Sequence, residues 1–277
     1  MKVLIDSACK RCGEGIASSL FWIEEMEVMM WLSHIKPTMD MFDETKPDIV
    51  IAPYEKFATQ EMSIAASRYP NARLVAIGQP SETEGGAEPH LIVAKGPTEG
   101  IPSIEFEEGA IIGNLGRPSK QEHLKADLLC MTDGIEDHQK ANPILDFLCE
   151  NYNIKIFGNQ KVNFPNYLGS IDKTTYAEAL ASTMVYVDLD GASWHDAAWL
   201  GKQCVSVSKS CFRSFDDIEG LKVAIDEALK SKEEESAQIK MAMKNKTYFE
   251  LTSEILLFFG LGDYRKKLIE KKREITC

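Results

Sequence analysis

Short, continuous apolar runs alternate with helix-spaced segments along almost the whole chain. Val3-Leu4-Ile5 ends at Asp6 and is followed by a glycine-containing loop, Cys12-Gly13-Glu14-Gly15, then a helical pattern through Phe21. A second strand is predicted over 27–32, and the clearest one of the first half over 48–52, introduced by Lys46-Pro47 and closed by Pro53. A helix over about 55–68 and strands over 73–78 and 91–94 complete this half. Apolar runs without polar alternation, separated by helices, indicate a parallel sheet covered on both faces.

The rhythm weakens between 78 and 125. Residues 81–89 are polar and glycine-rich, and Gly113-Asn114-Leu115-Gly116-Arg117-Pro118-Ser119 gathers turn formers into the best domain boundary. It then resumes, with strands over 126–131, 154–158, 184–188 and 204–207. Helices are predicted over 143–151, 174–182 (capped by Asp172 or Thr174), 193–200 and 216–230, and the chain to 274 reads as helical. The expected fold is α/β, with two Rossmann-like domains facing each other across a cleft. The expected divisions are 1–118, 119–255 and a final helix over 256–277 that returns to the first domain.

Composition narrows the class. With 44% hydrophobic and 27% charged residues among 277, the chain can bury a core, which excludes intrinsic disorder as its main state. Its longest apolar stretch, Ile255-Leu256-Leu257-Phe258-Phe259, is far short of the roughly 20 residues of a membrane-crossing helix. Charge is uneven: residues 240–277 carry nine basic and five acidic side chains, against a net charge of −12 for the whole. An acidic body argues against coating nucleic acid by charge alone, and the basic tail reads first as a solvated helix face. Seven cysteines at irregular positions, with a strand beginning almost at the first Met, point to a reduced, cytoplasmic protein. Cys130, Cys149 and Cys204 read as core.

The segment from Val185 to Lys202 carries the sharpest chemistry. A buried strand ends in Asp188-Leu189-Asp190-Gly191, and a helix begins directly after Ala192-Ser193. Gly191 permits a tight turn, and Ser193 is a natural N-cap. The start of that helix is expected to offer unpaired N–H groups to an anion such as a diphosphate, at the carboxyl end of a strand. An ordinary capped strand–turn–helix explains the same residues equally well.

Residues 126–210 resemble the donor-binding domain of GT-B glycosyltransferases, which use nucleotide-activated sugars. The resemblance rests on three stretches: 128–140; Ile154-Lys155-Ile156-Phe157-Gly158 with Asn166-Tyr167-Leu168-Gly169-Ser170-Ile171 and 176–180; and His195-Asp196-Ala197-Ala198-Trp199-Leu200-Gly201-Lys202. The last is similar to a heptosyltransferase-like pattern in which a histidine opens the diphosphate-binding helix. Here the acidic loop before it is longer, Gln203 stands where proline is usual, and the paired glutamates of many retaining members are missing.

The resemblance implies a nucleoside diphosphate sugar, UDP-linked, as co-substrate, with no obligatory cofactor and no bound metal. It assigns the diphosphate to Lys140, to the loop Asp190, Gly191, Ala192, Ser193, Trp194 and His195, and to Arg213. Phe157, Gly158, Gly169 and Ile171 would frame the base. In the first domain it implies acceptor or phosphate contacts at Lys10, Arg11, Gly13 and Gly15, with Asp6, Glu14 and Glu55 as candidate catalytic carboxylates. The acceptor hydroxyl is open; a hydroxymethylated base in phage DNA is one candidate, since Arg265-Lys266-Lys267 and Lys271-Lys272-Arg273 are basic. A nucleotide-sugar epimerase or hydrolase and a non-catalytic nucleotide-binding module are the alternatives. Cys9-Lys10-Arg11-Cys12 lacks the second ligand pair that a zinc site requires, and the glycines after it argue against a redox motif. Asp188-Leu189-Asp190 abuts a buried strand and reads as loop acid rather than metal ligand.

Overall fold

The computed structural model describes residues 1–80, 86–115, 118–133, 135, 138–158, 164 and 166–276, with the side chains of 114, 138–140 and 276 left aside. By their contacts these separate into two compact units, Met1–Gly113 with Thr247–Cys277, and Asn114–Lys246. The divisions expected at 118/119 and 255/256 both lie further along the chain. Two packings explain the earlier positions. Gly113 sits against Ser18 and Trp22, and Tyr248 is fully buried over Gly15.

The first unit is built on a six-stranded parallel sheet in the order β2-β1-β3-β4-β5-β6. Its strands are β1 (Lys2–Asp6), β2 (Glu27–Trp31), β3 (Ile49–Pro53), β4 (Arg73–Ile77), β5 (Leu91–Ala94) and β6 (Ser103–Glu105). Leu4, Val50, Leu74 and Ile92 pack with Phe42 and Met62 on one face, while the alternate positions Val3, Ile5, Ile51 and Val75 are equally buried. Burial on both faces is what continuous apolar runs demand. The helices are α1 (Lys10–Leu20), α2 (Thr38–Thr45), α3 (Tyr54–Phe57), α4 (Gln60–Arg68) and the short α5 (Ile112–Leu115).

In the second unit, β7 (Ala126–Met131), β8 (Ile154–Phe157), β9 (Thr183–Asp188) and β10 (Gln203–Ser206) form a parallel sheet in the order β10-β9-β7-β8. Around it lie α6 (His138–Asn151), α7 (Lys173–Ser182), α8 (Trp194–Trp199), α9 (Ile218–Leu229) and α10 (Glu233–Met243). Leu128, Ile156, Val187 and Val205 meet Leu145, Leu148, Leu221 and Ile225 in its core. The chain then returns as α11 (Tyr248–Phe258) and α12 (Gly262–Thr276), which belong to the first unit, with α11 packed on α1.

Several local expectations change. Gly13 and Gly15 lie inside α1 rather than in a loop, because each lets the helix approach a neighbour. A Cβ at Gly13 would stand 2.9 Å from Cys9 Cβ, and one at Gly15 would stand 2.2 Å from the Tyr248 ring. The helix expected over 55–68 breaks in two where Thr59 caps α4 by accepting from the Met62 amide. Asp172, not Thr174, caps α7. Pro143 lies within α6, and α2 and β6 had no sequence signal strong enough to predict them. Cys130 and Cys204 are buried as expected, whereas Cys149 is half-buried and Cys9 and Cys211 are also buried.

Candidate functional site

In parallel α/β sheets the carboxyl ends of the strands are where ligands are found. In the second unit these ends carry Thr132 after β7, Gly158 after β8, Asp188 closing β9 and Ser206 closing β10. Register sets Asp188 beside Ser206.

The loop after β9 is wrapped on its own carboxylates. Asp188 Oδ1 accepts from the amides of Asp190 and Gly191, both at 3.2 Å, and from Ser193 Oγ at 3.0 Å. Its Oδ2 accepts from Ser206 Oγ at 2.6 Å. Asp190 Oδ1 accepts from the amides of Ala192 (2.8 Å) and Ser193 (3.0 Å), and lies 3.0 Å from Ser193 Oγ. Tyr186, buried in β9, places its hydroxyl 2.8 Å from the same Ser193 Oγ. Two sequence expectations fall here. Ser193 does not cap α8, since its backbone is already helical and its side chain makes no cap bond. The amides of Gly191, Ala192 and Ser193, expected to await an anion, are held by Asp188 and Asp190. Two acids three and five residues before Ser193 reach those amides first.

Burial dominates the electrostatics. It raises the Asp188 carboxyl to about 8, with the neighbouring Asp190 adding to the rise. Burial works on Asp190 too, but hydrogen bonds from Asp188 and from the Ala192 and Ser193 amides outweigh it and hold that carboxyl below its usual range.

His195 is buried at the start of α8. Its Nδ1 lies 2.8 Å from the Ala192 carbonyl, which can only accept, so Nδ1 carries the proton. Its ring stacks on Trp194 at 3.9 Å, and Trp194 Nε1 is buried without a hydrogen-bond partner. Across α8, Asp196 Oδ2 accepts from the Tyr176 hydroxyl at 3.3 Å. His195 and Trp194, expected at a ligand surface, are thus largely inside the unit.

Two of the four expected base-framing residues, Gly158 and Gly169, come together. The Gly158 amide donates to the Gly169 carbonyl at 3.1 Å, and the Tyr167 hydroxyl donates to the Gly158 carbonyl at 2.5 Å. A Cβ at Gly158, where φ is +156°, would stand 2.0 Å from Thr132 Oγ1, so glycine allows the turns after β7 and β8 to touch. Phe157 is buried, and Ile171 is half-exposed. Lys140 lies on α6, but its side chain is outside the described residues.

Arg213 has other work. Its guanidinium donates to Gln203 Oε1 (2.6 Å), Ser231 Oγ (3.0 Å) and Glu235 Oε2 (2.9 Å), tying β10 to α10 and to the turn before it. The shallow hollow it borders also holds Asp217, Glu219 and Glu227, a poor surround for a diphosphate.

In the first unit, Asp6 is fully buried at the end of β1. Its Oδ1 accepts from the Ala8 amide at 2.9 Å, and its Oδ2 is buried with no hydrogen-bond partner. Burial raises the Cys9 thiol, with the charges of Cys12, Asp6 and Glu55 adding to the rise. Lys10, the first residue of α1 after a 3₁₀ turn over Ser7–Cys9, adopts φ of +49°, a strained position for a residue with a Cβ. Arg11 Nη2 reaches the Gly109 carbonyl at 3.5 Å. Glu14 lies exposed on α1, while Gly13 and Gly15 are buried packing positions and are not available as ligand contacts. Among the described residues no cluster of three or more His, Cys, Asp or Glu side chains is arranged to hold a metal, and no helix is long and apolar enough to cross a membrane.

No family model and no curated protein matches this sequence. Solved structures do. The Staphylococcus aureus MnaA–UDP co-structure aligns with TM-score 0.57 at 12% identity, covering 94% of this chain and 97% of that one. The kitacinnamycin glycotransferase aligns with TM-score 0.56 at 9% identity, covering 93% and 98%. UDP-GlcNAc 2-epimerase from Neisseria meningitidis, solved bound to UDP-GlcNAc, aligns with TM-score 0.54 at 11% identity, covering 94% and 99%. The fold is GT-B-like.

At such identities the likeness is one of backbone. The GT-B-like architecture comprises both parallel sheets and the C-terminal helices that return to the first unit. The residues that sequence reasoning left without a ligand role here are Tyr186, Asp188 and Ser206, Asp188 having been read as loop acid. Ser206 ends an apolar run with no motif of its own, and only the register of β10 on β9 brings it to Asp188.

Proposed function

We propose that this protein is an enzyme acting on nucleoside diphosphate sugars, moving the sugar from UDP to an acceptor hydroxyl. The observation that supports this reading most is the alignment of nearly its whole length with GT-B-like proteins, among them a glycotransferase and two solved with UDP or UDP-GlcNAc. In this reading the base lies against Gly158 and Gly169, with Phe157 and Ile171 in the same subsite. The diphosphate takes the amides of Ala192 and Ser193 once Asp190 gives them up, with His195 behind them. Stabilising the leaving diphosphate is the main task of such a transfer.

Asp6 is the favoured general base in the first unit. What favours it is its Oδ2, which accepts no hydrogen bond and could take the acceptor's proton once substrate opens that buried end of β1; Glu14 and Glu55 are exposed. Lys10 and Arg11 remain the proposed acceptor contacts. DNA as acceptor is not favoured: Lys267 pairs with Glu25, Lys272 with Glu250 and Lys271 with Glu274, so three of the six basic residues named in the tail are engaged in ion pairs.

Epimerisation of the same donor is the second reading, favoured by the epimerase among the aligned structures. The test is a thermal-shift panel of UDP, other nucleoside diphosphates and their sugars, since a ligand bound only by the native state raises its apparent stability. A rise with UDP and a UDP-sugar is expected, and no rise across the panel overturns both readings. Product analysis without acceptor then separates them, because an epimerase converts the sugar by itself.

A further inference from the structure

The loop after β9 contains more hydrogen-bond acceptors than its hydroxyl hydrogens can serve. Ser193 Oγ lies 3.0 Å from Asp188 Oδ1, 3.0 Å from Asp190 Oδ1 and 2.8 Å from the Tyr186 hydroxyl. The serine has one hydrogen. Tyr186 is fully buried, and Ser193 is its hydrogen-bond partner, so the phenol donates and Ser193 passes its own hydrogen to one carboxyl. The other carboxyl then faces a lone pair at 3.0 Å, which is repulsive unless that carboxyl bears a proton. Among the described residues no basic side chain pairs with Asp188 or Asp190 to relieve a second negative charge.

We propose that Asp188 and Asp190 hold a single proton between them, bridged by Ser193, and that this proton latches the loop from Asp188 to Ser193 shut over its own amides. With the proton in place the pair carries one negative charge, and each carboxyl can accept from the amides beside it. Loss of the proton leaves two adjoining carboxylates. Asp188 is fixed by Ser206 from β10, whereas Asp190 lies on the exposed side of the loop, so Asp190 is the one that leaves, releasing the amides of Ala192 and Ser193.

The titratable groups facing the pair do not supply another explanation. Cys130 on β7 and Cys204 on β10 are buried thiols held up by that burial, as is Cys211 beyond β10. Tyr186 on β9 and Tyr176 on α7 are phenols, and Asp196 on α8 accepts from Tyr176. His195 turns its Nδ1 to the Ala192 carbonyl. The latch is independent of the nucleotide-sugar reading, and its test uses no ligand.

The sign of the effect follows from linkage. An acid whose folded-state value is raised binds its proton more tightly in the native state, so its contribution is complete below the unfolded value. That contribution is lost as pH rises through the folded one, here between about 4 and about 8. The experiment compares thermal unfolding of the full chain with that of Asp188→Asn across this window. The wild-type melting temperature is expected to fall with rising pH relative to the variant. Parallel curves would overturn the proposal. Infrared spectra of wild-type protein with labelled aspartate test it without a variant: a protonated-carboxyl stretch in the native state at neutral pH, lost on alkalisation, is expected, and its absence refutes the shared proton. Exchange protection at Ala192 and Ser193, corrected for the intrinsic pH dependence, should drop over the same range. Protection that stays constant refutes the latch.

Discussion

The ring of Tyr248 lies across Gly15. A Cβ built on that glycine would stand 2.2 Å from Tyr248 Cγ, so the first turn of α11 and the middle of α1 share a space that no side chain larger than hydrogen leaves open. Gly15→Ala removes that space. Alanine favours a helix over glycine by about 1 kcal/mol. Overpacking against a buried ring costs about 1–3 kcal/mol. We expect a net loss of stability, read as a lower denaturation midpoint and regained when Tyr248 is shortened to Leu in the same chain. An unchanged midpoint for Gly15→Ala would show that the ring does not press on this position.

Ser206 serves Asp188 and the chain beyond it at once, donating to Asp188 Oδ2 at 2.6 Å and accepting from the Ser208 amide at 2.9 Å. Ser206→Ala leaves a buried carboxyl one donor short. Stranding a buried polar group costs about 1–3 kcal/mol. The loss should appear in urea midpoints as a shift with an unchanged slope. Ser208→Ala, at the edge of the same cluster, should cost less.

Arg213→Lys separates a structural arginine from a phosphate-binding one. Lysine cannot span Gln203 and Ser231 from one side chain, and losing these bonds costs about 1–3 kcal/mol. The contact with half-exposed Glu235 adds little. The expected result is a destabilised protein whose affinity for UDP, where UDP binds, is unchanged below its melting range. A selective loss of UDP affinity with full stability would return Arg213 to the donor site.

Native thiols should be slow. Burial pushes Cys12 up to about 12 and Cys211 up to about 11, and raises Cys9, Cys130 and Cys204 further. At mildly alkaline pH each is almost wholly protonated, and the thiolate is the reactive form. Mass mapping after brief alkylation should find these five unmodified in the native state and modified in denaturant. Rapid native labelling of Cys9 or Cys12 would restore a redox role to the Cys-x-x-Cys segment.

The strands were legible because a strand buried on both faces announces itself as an unbroken apolar run, and β1, β3, β4, β7 and β9 all do. The site was legible only in part. Gly158 and Gly169 were picked out through the resemblance to the GT-B donor-binding domain, and the structure joins them through one hydrogen bond. Gly13 and Gly15 looked alike in sequence but serve helix packing, since a glycine that admits a turn and one that admits a neighbour have the same side chain. Ser193 had the composition of a cap, yet Asp190 and Asp188 reach the amides first.

The order of apolar and polar residues thus determined by itself that the chain is α/β, that its sheets are parallel, and where most strands begin and end. Periodicity and capping are local properties, written within a few residues. Only the tertiary structure decided that α11 and α12 belong with the first unit, that Ser206 stands beside Asp188, and that the loop after β9 bonds its own carboxylates. Each of these depends on groups far apart in sequence or competing for the same amide, and such competition is resolved by distance and burial in three dimensions.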